Sequence, residues 1–279
     1  MSSKSASMDR SSREAKLAAI RKQNAADKRR QRIITIVTVA VIVALVAAVA
    51  IAIVFAAQQR DEQSASDPAG LTTVANADGD EVLGFAVGPE DAEVTLTLFE
   101  DYLCPACAAF EQQSGAYIDS LPDDGVRVVY HPVAFLDRQS PDRYSTRTAG
   151  AMACVADDET DDERPVLREF NALLFAGQPG ESTGPTLTDE QLAELAGQAG
   201  ASQDAQQCIV DGSFEGWAQR STQAAQQAGV SGTPTVWVNG ERVGAERSVA
   251  TQPEMEAAIA AARGEGGGDE PAGDAEPTG

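Results

Sequence analysis

From Ile33 to Ala57 the chain carries no charged side chain, and Thr35 and Thr38 are the polar members of the run. These 25 residues, wound as a helix, would rise about 37 Å, more than the roughly 30 Å of a bilayer's hydrocarbon core. A helix that is apolar all round has no face to turn to water, so a transmembrane helix over 33–57 is expected. A cleavable signal peptide is the alternative that the residues leave open, given the positive head and the small residues Ala56 and Ala57. Its apolar region normally runs about 7–15 residues. The run also divides the charge. Residues 1–32 hold ten Lys and Arg against Asp9, Glu14 and Asp27, a net of +7; the whole chain is −22, which leaves −29 for the rest. A basic head stays on the cytoplasmic side by the positive-inside bias, so residues 58–279 are expected outside the cytoplasm. Orientation accounts for the head's charge, and the acidic remainder excludes a nucleic-acid partner.

Beyond the span, residues 58–80 are rich in Gln, Ser, Ala, Asp and Gly and read as a flexible linker. Residues 263–279 read as a disordered acidic tail. Residues 81–262 remain for one domain with a real core. Strand-like runs lie at 94–99, 126–131 and 235–239, the last entering Asn239-Gly240, a hairpin-turn pair, and then Arg242-Val243. Between the second and third runs, about 143–228, the apolar spacing is near 3.6 in five segments. Thr188 with Gln191 forms a capping box, and Ser202 stands as an N-cap. A last helix is expected to end at Ala262. The order is that of an α/β domain with a helical insertion.

The chemistry concentrates at Cys104-Pro105-Ala106-Cys107, just after the strand that ends at Phe99 and Glu100. Phe110, Tyr117, Ile118 and Leu121 share one face of the helix that follows, so Cys104 sits at its N-terminus. Unpaired N–H groups and the positive end of the helix dipole favour a thiolate there, which is the nucleophilic form of cysteine. Pro105 suits the first turn, and Cys107, one turn in, is the more buried partner. A zinc site would need a second close pair, but Cys154 and Cys208 are isolated and His131 is the only histidine, so no metal and no cofactor are expected. In an oxidising compartment two leftover thiols usually pair, so a structural disulfide between Cys154 and Cys208 is expected; the alternative is two independent buried thiols.

A second motif, Val230-Ser231-Gly232-Thr233-Pro234-Thr235, places a proline at the very start of a strand. Taken with the Cys104–Cys107 motif and the helical insertion, it resembles the thioredoxin superfamily over 81–262. Within that superfamily it resembles the DsbA-like thiol:disulfide oxidoreductases in their membrane-anchored, Gram-positive actinobacterial form. The resemblance implies a thioredoxin-like fold with a helical insertion, a cis Pro234 packed against the cysteine pair, and a Thr233 backbone that offers itself to a substrate strand. It further implies a quinone-linked membrane oxidase, of the DsbB or vitamin-K-epoxide-reductase type, as redox partner. The expected function is disulfide formation in unfolded exported proteins that contain cysteine. The alternatives are a reductase or isomerase of the same fold and a non-catalytic peptide-binding module.

Two positions depart from the family pattern. Six residues before the first cysteine, where the superfamily often has a buried acid, this chain has Leu98. Glu100 and Asp101 stand closer and are candidates for proton transfer with Cys107; the plainer reading is a solvated turn with Asp101 capping the helix. Ala106 replaces the His of several relatives and supplies no donor to Cys104. His131 reads as a strand-end residue, and Trp217 and Trp237 as core. The acidity of residues 58–279 favours Arg- or Lys-rich polypeptides as substrates.

Overall fold

The structure, a computed structural model, describes residues 67–264 apart from 141, 160, 180–185, 246 and 247, together with 38, 39, 42, 43, 45–47 and 49. The chain divides into two units, Met1–Gln59 and Arg60–Gly279. In the first, the described residues are helical and exposed. The expected span 33–57 lies mostly outside the described residues, and the basic head 1–32 wholly so. No helix among the described residues is long and apolar enough to cross a membrane. Nearly all of the tail, 265–279, also lies outside them.

The second unit is built on strands β1 (Leu71–Ala75), β2 (Glu81–Val87), β3 (Val94–Glu100), β4 (Val126–Pro132), β5 (Thr235–Val238) and β6 (Glu241–Arg242). Their order across the sheet is β1-β2-β4-β3-β5-β6. β3 and β4 are parallel, with Val94 opposite Val126 and Glu100 opposite Pro132, and the other pairings are antiparallel. Helix α1 (Pro105–Ser120) connects the parallel pair. The insertion supplies α2 (Tyr144–Asp158), α3 (Pro165–Ala176), α4 (Asp189–Ala199), α5 (Gln203–Asp211) and α6 (Glu215–Gln227), and α7 (Gln252–Ala262) closes the fold. Local chemistry sets several of these ends. Thr188 and Gln191 close a capping box on α4, Ser202 accepts from Ala205 N–H at α5, and Thr251 with Glu254 boxes α7.

Strand alternation divides the core between the two faces of the sheet. Phe85, Val87, Leu96, Leu98, Val128, Tyr130, Val236 and Val238 face α1 and the insertion; Val82, Ala86, Phe99, Val129 and Trp237 pack on the other side with Ala225, Ala228 and Val230. Trp217 and Trp237 are both buried. His131 stands at the end of β4, one residue before Pro132, and is buried there, packed on Phe99 with ring centroids 4.8 Å apart, its Nε2 3.1 Å from the Ser221 hydroxyl. Burial holds its pKa down to about 4, so it is neutral and structural.

The linker reading of 58–80 needs correction at its far end. Leu71–Ala75 pairs with β2 along its whole length, Leu71 opposite Phe85 and Ala75 opposite Glu81. Asn76 makes the turn, its Oδ1 accepting from the N–H groups of Asp78 and Asp80 while Gly79 takes a positive φ of 88°. β1 is an edge strand whose only buried side chain is Val74, so it carries too little apolar pattern to be read as a strand.

Candidate active site

Cys104 is the N-cap of α1, with no side-chain cap of its own, and its carbonyl accepts the first helical bonds from Cys107 N–H and Ala108 N–H at 3.0 and 3.2 Å. Both cysteines are free thiols; Cys107 is fully buried and Cys104 is 9% exposed. From 129 residues away the chain returns with a cis Thr233–Pro234 bond, and the Cys104 sulfur lies 3.5 Å from the Thr233 carbonyl oxygen. Pro234 is buried and Thr233 half-buried, while Ser231 and Gly232 are exposed. A groove of about 390 Å³ opens beside the motif, walled by Ala106, Ala109 and Phe110 on one side and Val249 and Pro253 on the other.

The two sulfurs differ in charge preference. Hydrogen bonding from the Cys107 thiol, from the Thr233 side chain and from the N–H groups of Cys107 and Ala106 outweighs burial and lowers the Cys104 pKa to about 5. Burial pushes Cys107 well above the ordinary thiol value, and its bond to Cys104 and the nearby Glu100 carboxyl add to that. The reduced site is therefore a Cys104 thiolate beside a Cys107 thiol.

Glu100 and Asp101 are not a solvated turn, and Asp101 does not cap α1. They are 3% and 0% exposed, because the insertion and the segment after β4 cover the loop. Asp101 spends both oxygens on structure: Oδ1 accepts from Leu103 N–H and the Ser145 hydroxyl, and Oδ2 accepts from Leu136 N–H. Burial, partly offset by these bonds, raises its pKa to about 6. Glu100 continues the stripe of Leu96 and Leu98 on the face beneath α1, two residues nearer the cysteines than the family's usual acid. Its Oε1 has no hydrogen-bond partner. Burial, then the charges of Glu111 and Cys104, drive its pKa well up.

Sequence reading missed Glu111 and Gln178. Glu111 lies one turn beyond Cys107, a spacing of four that could have marked it as a neighbour. Burial and then Asp119 raise its pKa to about 7, and it lines a groove of about 510 Å³ with Ala172 and Phe175. Gln178 lies 74 residues from Cys104 with no local signal, yet its Nε2 donates to the Cys104 carbonyl at 3.0 Å. Cys154 and Cys208 are joined in a disulfide between α2 and α5, Cα atoms 5.8 Å apart, within the insertion rather than at the redox pair. Among the described residues no cluster of His, Cys, Asp and Glu could hold a metal.

The thiolate makes stability depend on pH and oxidation state together. A folded pKa near 5 against about 8.5 unfolded stabilises the reduced protein fully above the unfolded value, and that stabilisation is lost as pH falls through about 5. Asp101 acts the other way: its raised pKa favours the fold at low pH and costs stability as pH rises through about 6. Both oxidation states carry Asp101, so it largely cancels in their difference. Melting temperatures of the two forms should show the reduced form gaining on the oxidised by several degrees from pH 4 to pH 8. A gap independent of pH would mean that Cys104 is an ordinary thiol.

A family model described as thioredoxin matches residues 81–260. Among curated proteins, the serine/threonine-protein kinase PknE of Mycobacterium tuberculosis is 37% identical over 162 residues, 55% of this chain and 28% of the kinase. The chain thus spans little more than a quarter of the length of the curated relatives it matches. Among solved structures, the reduced disulfide bond oxidoreductase DsbG of Mycobacterium tuberculosis superposes with a TM-score of 0.54 at 29% identity, over 74% of this chain and 92% of that one. DsbA of the same organism gives 0.50 at 29%, over 69% and 99%. BdbD of Bacillus subtilis, at 21% identity and 0.55, over 71% and 98%, shares the fold. The chain therefore belongs to the thioredoxin family, with the fold of the DsbA-like proteins.

Proposed function

We propose that this domain acts outside the cytoplasm as an oxidant, forming disulfides in unfolded, cysteine-containing exported proteins, while residues 33–57 anchor it in the membrane and residues 1–32 stay in the cytoplasm. The observation that carries the direction is the asymmetry of the pair, a Cys104 thiolate lowered to about 5 beside a buried Cys107 thiol. A stabilised thiolate exists only in the reduced enzyme, so it favours taking electrons from a substrate.

In the oxidised enzyme a substrate thiolate attacks the Cys104 sulfur. The Cys104–Cys107 bond breaks, a mixed disulfide forms on Cys104, and Cys107 leaves with the electron pair. Glu100, kept protonated by burial and with a free Oε1, is the group suited to give Cys107 its proton. A second substrate thiolate then attacks the substrate sulfur of the mixed disulfide, and Cys104 leaves as the thiolate. The substrate loses two electrons and the enzyme gains them. A substrate chain would pair with the backbone at Thr233, next to the exposed Ser231 and Gly232. The −29 charge after residue 32 would draw Arg- and Lys-rich polypeptides at low salt. A quinone-linked membrane oxidase, of the DsbB or vitamin-K-epoxide-reductase type, would take the electrons on.

Ala106, whose side chain adds no donor to the thiolate beyond the backbone N–H, favours reductase or isomerase use as the second reading. A two-way assay separates them. Oxidised full chain mixed with a reduced, unfolded two-cysteine protein should form its disulfide faster than reduced full chain, supplied with a dithiol, cleaves insulin. Insulin cleavage as the faster reaction would reverse the assigned direction.

A further inference from the structure

The insertion grips the loop that carries Cys104 at two places. Below, Asp101 is tied to Ser145 of α2 and to Leu136 N–H. Above, three side chains from α3 and its exit close on residues 102–104. Asn171 Oδ1 accepts from the Tyr102 hydroxyl at 2.7 Å, the Phe175 ring lies 4.8 Å from the Tyr102 ring, and Gln178 Nε2 donates to the carbonyls of Tyr102 and Cys104 at 2.9 and 3.0 Å. Spacings of four and three put these residues on one face of α3 and its continuation. Asn171 is 2% exposed and holds Tyr102 from inside; Gln178 is half-buried and holds backbone.

A primary amide has two N–H donors, and Gln178 spends both on this loop. One goes to the carbonyl of the nucleophile, which also accepts from Cys107 and Ala108. We propose that Gln178 is a positioning residue for Cys104, through which the exit of α3 sets the balance between the dithiol and disulfide forms of the enzyme. The inference rests on the thiol–disulfide reading above. The Cys104 side chain makes no cap bond of its own to the start of α1, so its sulfur stays beside the helix N-terminus only while residue 104 keeps its extended backbone, φ −80° and ψ 115°. Gln178 holds that carbonyl, and with it the dihedral that aims the sulfur. Without the amide, the carbonyls of 102 and 104 are free to turn toward water, and the sulfur moves off the helix N-terminus. The loss falls on the thiolate, which the disulfide form lacks.

The test uses the full chain and two variants. Gln178→Met keeps the length and removes both donors; Gln178→Glu keeps the shape and replaces the donors with a carboxylate. The readouts are the pH midpoint of Cys104 alkylation, the equilibrium constant with glutathione, and the melting temperatures of both redox forms. For Gln178→Met the midpoint should rise and the equilibrium should move toward the disulfide form about threefold to tenfold, in line with a net hydrogen bond of about 0.5–1.5 kcal/mol. Tenfold is about 30 mV for a two-electron couple. Gln178→Glu should move both further in the same direction. Equal loss of melting temperature in the two redox forms, with midpoint and equilibrium unchanged, would mean that the amide serves only the fold and would overturn the proposal. A wild-type midpoint near the free-thiol value of about 8.5 would instead overturn the reading beneath it, and the proposal with it.

Discussion

Replacing Cys104 with Ser should abolish disulfide transfer, whereas replacing Cys107 with Ser should leave a Cys104 that, once in a mixed disulfide with a single-cysteine substrate, keeps hold of it. The two outcomes differ because the sulfurs differ in place and charge. Cys104 lies at the helix N-terminus, 9% exposed, its sulfur 3.5 Å from the Thr233 carbonyl, so an incoming chain meets it first. A serine hydroxyl there forms no disulfide, and the other free thiol among the described residues, Cys107, is fully buried. Turnover should fall by at least about a thousandfold, the scale on which losing a covalent nucleophile acts. Cys107 is fully buried beneath it, and its role is to leave and return. With a hydroxyl in place of the Cys107 thiol, a mixed disulfide on Cys104 has no internal thiol to resolve it. Non-reducing gels of the full chain, first treated with oxidised glutathione to put a mixed disulfide on Cys104 and then given a single-cysteine substrate whose thiolate displaces the glutathione, should show a substrate adduct for Cys107→Ser, absent for Cys104→Ser and lost on adding reductant. A fold that binds peptides without redox chemistry would keep its binding in Cys104→Ser and form no adduct in either.

The second large effect is on stability. The Cys154–Cys208 bond closes a sequence separation of 54 residues between α2 and α5, and it ties the start of the insertion to its far part. In the chain-entropy model a loop of that length stabilises the fold by about 4 kcal/mol at 25 °C. Cys154 is 2% exposed, so Cys154→Ala with Cys208→Ala also loses some packing at α2. Denaturant unfolding of the double variant, with the Cys104–Cys107 pair in one redox state, should show a loss of about 3–5 kcal/mol. A loss below about 1 kcal/mol would mean that the insertion holds together without the bond. The redox equilibrium of Cys104 and Cys107 should stay near wild type as long as the domain is folded.

The parts of this domain legible in its sequence were those whose causes are local. The helices of the insertion could be read because apolar side chains recur at 3.6 residues and because Thr188, Gln191 and Ser202 mark two of the starts. Cys104 and Cys107 could be read because a cysteine pair between a strand and a helix meets the helix dipole whatever surrounds it. What was not legible depends on contacts between distant segments. β1 is an exposed edge strand with one buried side chain, and it is made a strand by β2. β2 itself, with Gly84 in its middle and Glu81 at its start, went unread. Asp101 looked like a cap because its neighbours in sequence suit one; Ser145 and Leu136, 44 and 35 residues on, bury it instead. Glu100 shows the two cases together. Strand parity puts it on the face of Leu96 and Leu98, but only the packing of α1 and the insertion shows that its carboxyl is buried with one oxygen unpartnered.

The central claim is that the Cys104–Cys107 pair is poised to oxidise, and its reduction potential tests that most directly. A nucleophile with a pKa near 5 lies about two units below the roughly 7 of thioredoxin's, and each unit is worth about 30 mV in a two-electron couple. From thioredoxin's potential of about −270 mV, the pair should therefore stand near −210 mV or higher. Equilibrating the full chain with glutathione buffers and counting its free thiols gives the value. A potential at or above about −210 mV is the predicted result. One at or below about −270 mV would contradict the account, since the pair would then give up electrons as readily as a reductase.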